Sequence, residues 1–337
     1  MNEDVDRIPE IALKWVRDGR TVALATVIQT WGSAPRPVGS QLVISDEAAM
    51  MGSVSGGCVE GAVVEEALDS FADGTPRLLT FGVTDDEAFA VGLACGGTIR
   101  VLVEPVGGQS GLNPEVLEAL AAARAAGTPT VYAVNLSTWE RRLEAAGTLD
   151  ADGMAALAGD RATLVERAGD EWFLGVHNPP LRLFIIGGVH IAQPLSRMAS
   201  MAGYDVTIID PREAFASAAR FPQTRLIHDW PDEALQAAAL DTRSAVVTLT
   251  HDPKLDDPAI RTALSSPIFY LGCLGSTRTH AKRVARLEEA GFTAAQIARI
   301  HAPVGADIGG RAPAEIAVSI MAQITERLRR PQTRPGA

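Results

Sequence analysis

The sequence predicts an α/β protein: an N-terminal α/β domain followed by a C-terminal Rossmann-like domain built on a doubly wound parallel sheet. Three observations carry this. From residue 181 onward, short apolar β-rich runs alternate with helical stretches, the pattern of a parallel sheet covered on both faces. The first of these runs, LRLFIIGG (181–188), ends in two glycines and leads into a helix, the context of a phosphate-binding turn. The length of 337 residues exceeds one ordinary core, so more than one domain is expected.

Composition narrows the function classes. Aromatic residues make up only 5%, so aliphatic side chains and alanine must build the cores. The formal net charge of −11 repels phosphate backbones, which argues against a nucleic-acid partner. An anionic ligand would therefore need a local site made of helix N-termini, backbone N–H groups or a placed arginine. The three cysteines, Cys58, Cys95 and Cys273, form no C-x-x-C pair, so no zinc knuckle is signalled. The opening MNEDVDRIPE lacks the apolar run of a signal peptide, and no stretch reaches the roughly 18 uncharged apolar residues of a membrane span. A cytoplasmic location with reduced thiols is expected, without membrane association.

Along the chain, Ile8, Ile11, Ala12, Trp15 and Val16 share one helical face, and Gly19 stops that helix. Strands are expected at 21–30, 41–45, 51–55, 77–83 and 98–106, with a helix opening at SGGC (55–58). Asn113 caps a helix over 114–126, Pro114 occupies its first turn and Gly127 ends it. Strands at 131–137 and 171–177 flank a charged, Gly/Ala-rich stretch, 138–170, with no firm period. These signals divide the chain into an N-terminal domain (1–107), a connecting region (108–180) partly folded onto one neighbour, and a Rossmann-like domain (181–330). Within the last, strands are expected near 181–186, 204–210, 224–228, 244–250 and 267–273, and a final helix over 313–330.

Five constellations can carry chemistry. In GGVHIA (187–192), Gly187 and Gly188 fill the turn, His190 lies at its exit and Ala192 matches the last fingerprint position, but the middle glycine is Val189. Asp210, at the end of the next strand, is placed to accept hydrogen bonds from a ribose, with Arg212 two residues on. In SGGCVE (55–60), N–H groups near Gly56 and Gly57 can hold an anion at a helix start, and the same dipole would activate the Cys58 thiol. A small buried cysteine is the more frequent alternative there. Glu60 is placed to cap the helix or take a proton. ACGG (94–97) sets Cys95 before Gly96 and Gly97, which permit close backbone approach, though a plain turn has the same composition. GSAPRP (32–37) stiffens a loop carrying Ser33 and Arg36, suited to phosphate or carboxylate. The last set is the rim of strand ends: His251, Asp252 and Asp256, then Gly275 and Ser276, then Asp307 and Glu315. A metal at His251, Asp252 and Asp256 competes with simple capping by Asp252, which is favoured.

In order and spacing these motifs resemble the XdhC/CoxI family of molybdenum-enzyme accessory proteins. The similarity runs through TWGSAPRPVGS…GSVSGGCVE, ACGGTIRVLVEP, FIIGGVHIAQPL…VTIIDPR…ARFP, THDPKLD, YLGCLGS and PVGADIGGRAPAEIAVSI, and weakens over 108–180. It implies a non-catalytic accessory protein that binds the molybdenum cofactor, protects it while its sulfido ligand is installed, and delivers it to a xanthine-dehydrogenase- or CO-dehydrogenase-type apoenzyme. It further implies a molybdenum hydroxylase apoenzyme as partner, a cysteine desulfurase as a second partner, and self-association. Cys58 or Cys95 would then offer soft sulfur to the cofactor's molybdenum. The chain departs from the usual GAGHVA pattern at Val189, so NAD(P) binding is expected to be weak or absent. Two other functions remain open on sequence: an NAD(P)-dependent oxidoreductase using Gly187 to Asp210, and a ligand-free scaffold that docks a dehydrogenase.

Overall fold

The computed structural model describes residues 7–32, 36–57, 59–82 and 97–330. The chain divides into two compact units, residues 1–179 and 180–337.

In the first unit, helix α1 (Ile8–Arg17) precedes strands β1 (Val22–Trp31), β2 (Gln41–Ser45) and β3 (Met50–Gly52). Helix α2 (Glu60–Asp73) and strands β4 (Arg77–Gly82) and β5 (Thr98–Pro105) follow. The five strands form an antiparallel sheet ordered β3-β2-β1-β5-β4. Its one face packs Val63 and Ala67 of α2 against Ala23, Ala25, Val27, Val101 and Val103. The alternation of side chains along each strand sends Val22, Leu24, Ile28, Val43 and Leu102 to the other face.

That second face is covered by the stretch read from sequence as a connection. Residues 114–177 hold helix α3 (Pro114–Ala125), strands β6 (Thr130–Asn135) and β7 (Arg141–Ala145), helix α4 (Ala151–Gly159), and strands β8 (Thr163–Arg167) and β9 (Asp170–His177). Asn113 caps α3 by accepting from the Glu115 N–H at 2.8 Å. The four strands make a second antiparallel sheet, β7-β6-β9-β8. Tyr132, Val134 and Phe173 from this sheet share one core with Ile8, Leu24 and Leu102. This segment folds onto the first unit.

A buried polar cluster joins the two sheets. Glu104 on β5, only 1% exposed, accepts from the Tyr132 hydroxyl at 3.0 Å and from Arg141 Nε at 2.7 Å. Nearby, Arg124 on α3 donates to Glu10 at 2.6 Å and contacts His177 Nδ1 at 3.1 Å.

The second unit runs β10 (Arg182–Ile186), α5 (Ala192–Met201), β11 (Asp205–Ile209), β12 (Arg225–Ile227), α6 (Pro231–Ala237), β13 (Ser244–Thr248), α7 (Pro253–Leu264), β14 (Tyr270–Cys273), α8 (Thr277–Glu289), α9 (Ala294–Ile297), β15 (Ile300–His301) and α10 (Pro313–Arg329). All neighbouring strands are parallel, in the order β12-β11-β10-β13-β14-β15. Numbered within the unit this is 3-2-1-4-5-6, the Rossmann order. Leu195, Ala199, Ile320 and Ile324 of α5 and α10 cover one face, and Leu235, Ile260, Leu264 and Leu287 of α6, α7 and α8 cover the other. Burial on both faces explains why these strands read as continuous apolar runs. Cys273 ends β14 fully buried, and burial pushes its thiol up to about 11, so it stays protonated and inert at neutral pH.

Candidate functional site

Strand order reverses between β10 and β13, and in such sheets the ligand crevice opens beyond the carboxyl ends of those two strands. The structure places six of the residues singled out from sequence around this rim: Gly187, Gly188, His190, Asp210, Arg212 and His251.

Gly187 follows β10 with φ +101°, and a Cβ there would strike Thr250 Cγ2 at the end of β13. Only glycine allows the two strand ends to approach so closely. A Cβ on Gly188 would meet the Phe215 carbonyl. The Gly188 N–H donates to Asp210 Oδ2 at 2.9 Å, and its carbonyl accepts from Arg220. Val189 does not lean over the turn as its fingerprint position suggests, because it packs against the apolar core of the unit. His190 is exposed.

Asp210 is fully buried, and its partners are internal. Arg212 donates to both of its oxygens at 2.8 Å, and the Arg212 N–H adds a third bond at 3.0 Å. Burial alone would raise this carboxyl, but the hydrogen bonds from Arg212 and Gly188 outweigh it and hold the pKa below the usual value. The Arg212 guanidinium lies 4.1 Å from the ring centroid of half-exposed Phe215.

Across the crevice, His251 takes the left-handed conformation, φ 62°, uncommon for a side chain of this size. Asp252 caps α7 by accepting from the Lys254 N–H at 3.0 Å. Asp256, 2% exposed, accepts from the Thr250 hydroxyl at 2.6 Å and from the His251 N–H at 3.2 Å. Burial raises its pKa. Among the described residues no group of three His, Cys, Asp or Glu is arranged to hold a metal ion.

Gly275 and Ser276 serve the start of α8: the Ser276 hydroxyl accepts from the Thr279 N–H at 3.2 Å. Residues that reasoning from sequence did not single out lie on this helix. Arg278, Lys282, Arg283 and Arg286 project, with Asp256 and Asp257, into a cavity of about 230 Å³ between α7 and α8. Their spacing of three to four residues places them on one helix face. Arg286 is bound to both oxygens of Asp257, at 2.5 and 2.9 Å. Farther along the chain, Asp307 is exposed, and Glu315 accepts from the Arg311 and Ala312 N–H groups at 2.8 and 2.9 Å at the start of α10.

In the first unit the SGG turn is organised around Glu60. Its carboxylate accepts from the Ser53 hydroxyl (2.8 Å), from the Ser55 hydroxyl, and from the N–H groups of Ser55, Gly56 and Gly57 at 2.9, 3.1 and 2.9 Å. The N–H groups expected to receive an external anion thus already bind the chain's own carboxylate. Burial would raise the Glu60 pKa, but these hydrogen bonds dominate and lower it to about 2. Because the folded value lies below the unfolded 4.5, the stabilisation is complete above pH 4.5 and fades as pH falls toward 2. Glu60→Gln should therefore lower stability at pH 7 by about 1.5–3 kcal/mol, with the gap to wild type narrowing below pH 4.5 and closing only toward pH 2. Denaturant midpoints across that range check this, and a pH-independent gap would contradict it.

Arg36 is half-buried, and its Nε has no partner among the described residues. Gly97 is half-buried just before β5. Ser33, Cys58, Cys95 and Gly96 lie outside the described residues.

Comparisons with known proteins agree with this architecture. The model of the XdhC Rossmann domain matches residues 183–324, and that of the XdhC and CoxI family matches residues 15–82. The chain is 29% identical to the molybdenum cofactor insertion chaperone PaoD of Escherichia coli, over 96% of this chain and 89% of that protein. It is 27% identical to a probable xanthine dehydrogenase component of Bacillus subtilis, over 94% of this chain and 96% of that protein. Among solved structures, a crystal structure described as a xanthine dehydrogenase from Bacillus halodurans shares the fold with a TM-score of 0.74 at 24% identity, covering 98% of this chain and 97% of the other. With a Rossmann unit and an N-terminal unit that each match their part of one family, in the same order, the chain belongs to the XdhC and CoxI family.

Proposed function

We propose that this chain is a maturation factor that binds the molybdenum cofactor, shelters it, and delivers it to a xanthine-dehydrogenase- or CO-dehydrogenase-type apoenzyme. The observation that carries the reading is the alignment of nearly the whole chain, both units included, with a protein named a molybdenum cofactor insertion chaperone. The donor set fits such a group. The cofactor is anionic, and within a chain of net charge −11 the cavity beside α8 brings Arg278, Lys282 and Arg283 together. The glycine turn at Gly187 and Gly188 allows a close backbone approach at the end of β10. When bound, the cofactor would supply a client hydroxylase with its molybdenum centre.

In this reading Gly187, Gly188, His190, Asp210, Arg212, His251, Gly275 and Ser276 frame the crevice, with Asp307 and Glu315 on the last loop and helix. In the first unit Arg36, Gly56, Gly57, Glu60 and Gly97, with Ser33 and Gly96 outside the described residues, are proposed to contact the cofactor, and Cys58 or Cys95 to supply soft sulfur to molybdenum. A cysteine desulfurase and a second copy of the chain are proposed as further partners, in the cytoplasm. The test is transfer. Chain loaded with cofactor under anaerobic conditions should activate a purified cofactor-free molybdenum hydroxylase faster than free cofactor does, and equal rates would overturn the delivery role.

NAD(P) is proposed to bind weakly. A ribose seeking Asp210 would have to displace Arg212 from a buried, fully engaged carboxylate. Losing one hydrogen bond to a charged group costs about 1.5–3 kcal/mol. Calorimetric titration with NAD(H) and NADP(H) should give dissociation constants well above about 1 μM. A value at or below that would restore the oxidoreductase reading.

A further inference from the structure

We infer that the cavity between α7 and α8 is an oxyanion subsite, shaped for a terminal phosphate group and centred on the Arg283 side chain. The inference rests on the cofactor-binding reading only for the ligand's larger identity, since the anion chemistry stands on the cavity itself.

Arg283 is the largest fully buried side chain of the described residues, 2% exposed. It carries five N–H donors on three nitrogens. One nitrogen, Nη2, donates to the Leu274 carbonyl at 3.0 Å. The other two, Nε and Nη1, are buried with no hydrogen-bond partner. The nearest carboxylate, Asp256, stands 3.9 Å from Nη2, and its oxygens are engaged by Thr250 and His251. A buried guanidinium with two idle nitrogens is costly unless something else binds there. Each idle nitrogen can donate a single charge-assisted hydrogen bond to a phosphate oxygen, while the side-on edge of Nε with Nη2 is already part-engaged by the Leu274 carbonyl.

The surroundings point the same way. Arg278 and Lys282 stand one helical turn apart on the face that opens into the cavity, both exposed. Neither makes an ion pair among the described residues. Asp257 is neutralised by Arg286, and Asp256 is the one other carboxylate in the lining. Four cations against two carboxylates leave an excess of two positive charges in an acidic chain. The cavity, of about 230 Å³, is large enough for a phosphate or pyrophosphate and too small for a whole dinucleotide. The ligand's body must therefore lie outside it, along the strand ends toward His251, which also lines the cavity.

The test uses the full chain and three probes: inorganic phosphate, inorganic pyrophosphate and glycerol 3-phosphate, followed by calorimetry at low salt. Saturable binding of phosphate esters or pyrophosphate is expected. Arg283→Met should weaken it at least about tenfold. Since Arg283 also holds Leu274, a second variant keeps the test independent of folding: Arg278→Ser with Lys282→Ser changes only exposed positions and should weaken binding by a similar factor. Binding of inorganic phosphate alone assigns the site to the free ion, and tighter binding of the ester assigns it to a ligand's phosphate tail. Failure of every probe to bind, or unchanged affinity in the double variant, would overturn the subsite. Cofactor retention measured on the same double variant separates the two readings. Unchanged phosphate affinity in that variant would sink the subsite, and cofactor retention at the wild-type level would then leave the cofactor role standing.

Discussion

Replacing Glu104 by alanine is expected to destabilise the first unit by about 3–5 kcal/mol, the cost of leaving one member of a buried ion pair alone. The Glu104 carboxylate holds the Tyr132 hydroxyl and Arg141 Nε between the two antiparallel sheets, and Arg141 is only 7% exposed. Without it, the buried guanidinium loses its carboxylate and keeps the Trp139 carbonyl as an acceptor. Replacing both partners, Glu104→Leu with Arg141→Met, should recover most of the loss, because two well-packed apolar side chains avoid the desolvation cost altogether. Urea titrations of the three variants measure both effects. A Glu104→Ala change costing under about 1 kcal/mol would place the pair among those that contribute little.

The second large effect is a pH dependence set by His177. Its ring is buried at the end of β9, with Nδ1 facing the Arg124 guanidinium at 3.1 Å. Burial first, and the arginine's charge second, lower its pKa from 6.5 to about 3. The folded protein therefore keeps His177 neutral where the unfolded chain protonates it, so the unfolded state binds more protons below pH 6.5. Stability should be unaffected above that value and should fall by about 1.4 kcal/mol per pH unit below it. His177→Asn, whose side-chain oxygen can accept from Arg124, should flatten the slope between pH 6.5 and 5, above the range in which Glu60 titrates. Equal slopes in the two proteins would contradict the buried neutral imidazole.

The sequence revealed the second unit more fully than the first, for physical reasons. Strands buried on both faces, such as LRLFIIGG and SAVVTLT, announce themselves as apolar runs, and Asn113 with Pro114 marks the start of α3 through its capping chemistry. Strands β7 and β8 are RRLEA and TLVER. They sit at the edges of their sheet, and their charges pair with each other, Arg167 with Glu144 at 2.9 Å, so in sequence they look like a solvated loop. The two residues of β15 are too few to show any period.

At the candidate site, the glycine turn and the strand-end residues were legible because the α/β topology fixes where strand ends go. Their partners were not. That Asp210 would turn to Arg212, and Glu60 to the N–H groups of its own turn, depends on side-chain geometry no spacing encodes. The cations of α8 are visible as a periodic face after Gly275 and Ser276, but such faces are ordinarily solvated. Only the fold shows that Arg283 is buried and that two of its three nitrogens are idle.

The central claim is that this chain carries the molybdenum cofactor. The direct measurement is molybdenum and pterin content of the full chain, purified without oxygen from cells that make the cofactor and lack a competing hydroxylase. Molybdenum and pterin are expected together, approaching one of each per chain, with both reduced in parallel in the Arg278→Ser, Lys282→Ser variant. A wild-type protein that emerges free of both, under conditions where a molybdenum hydroxylase made in the same cells is fully loaded, would contradict it.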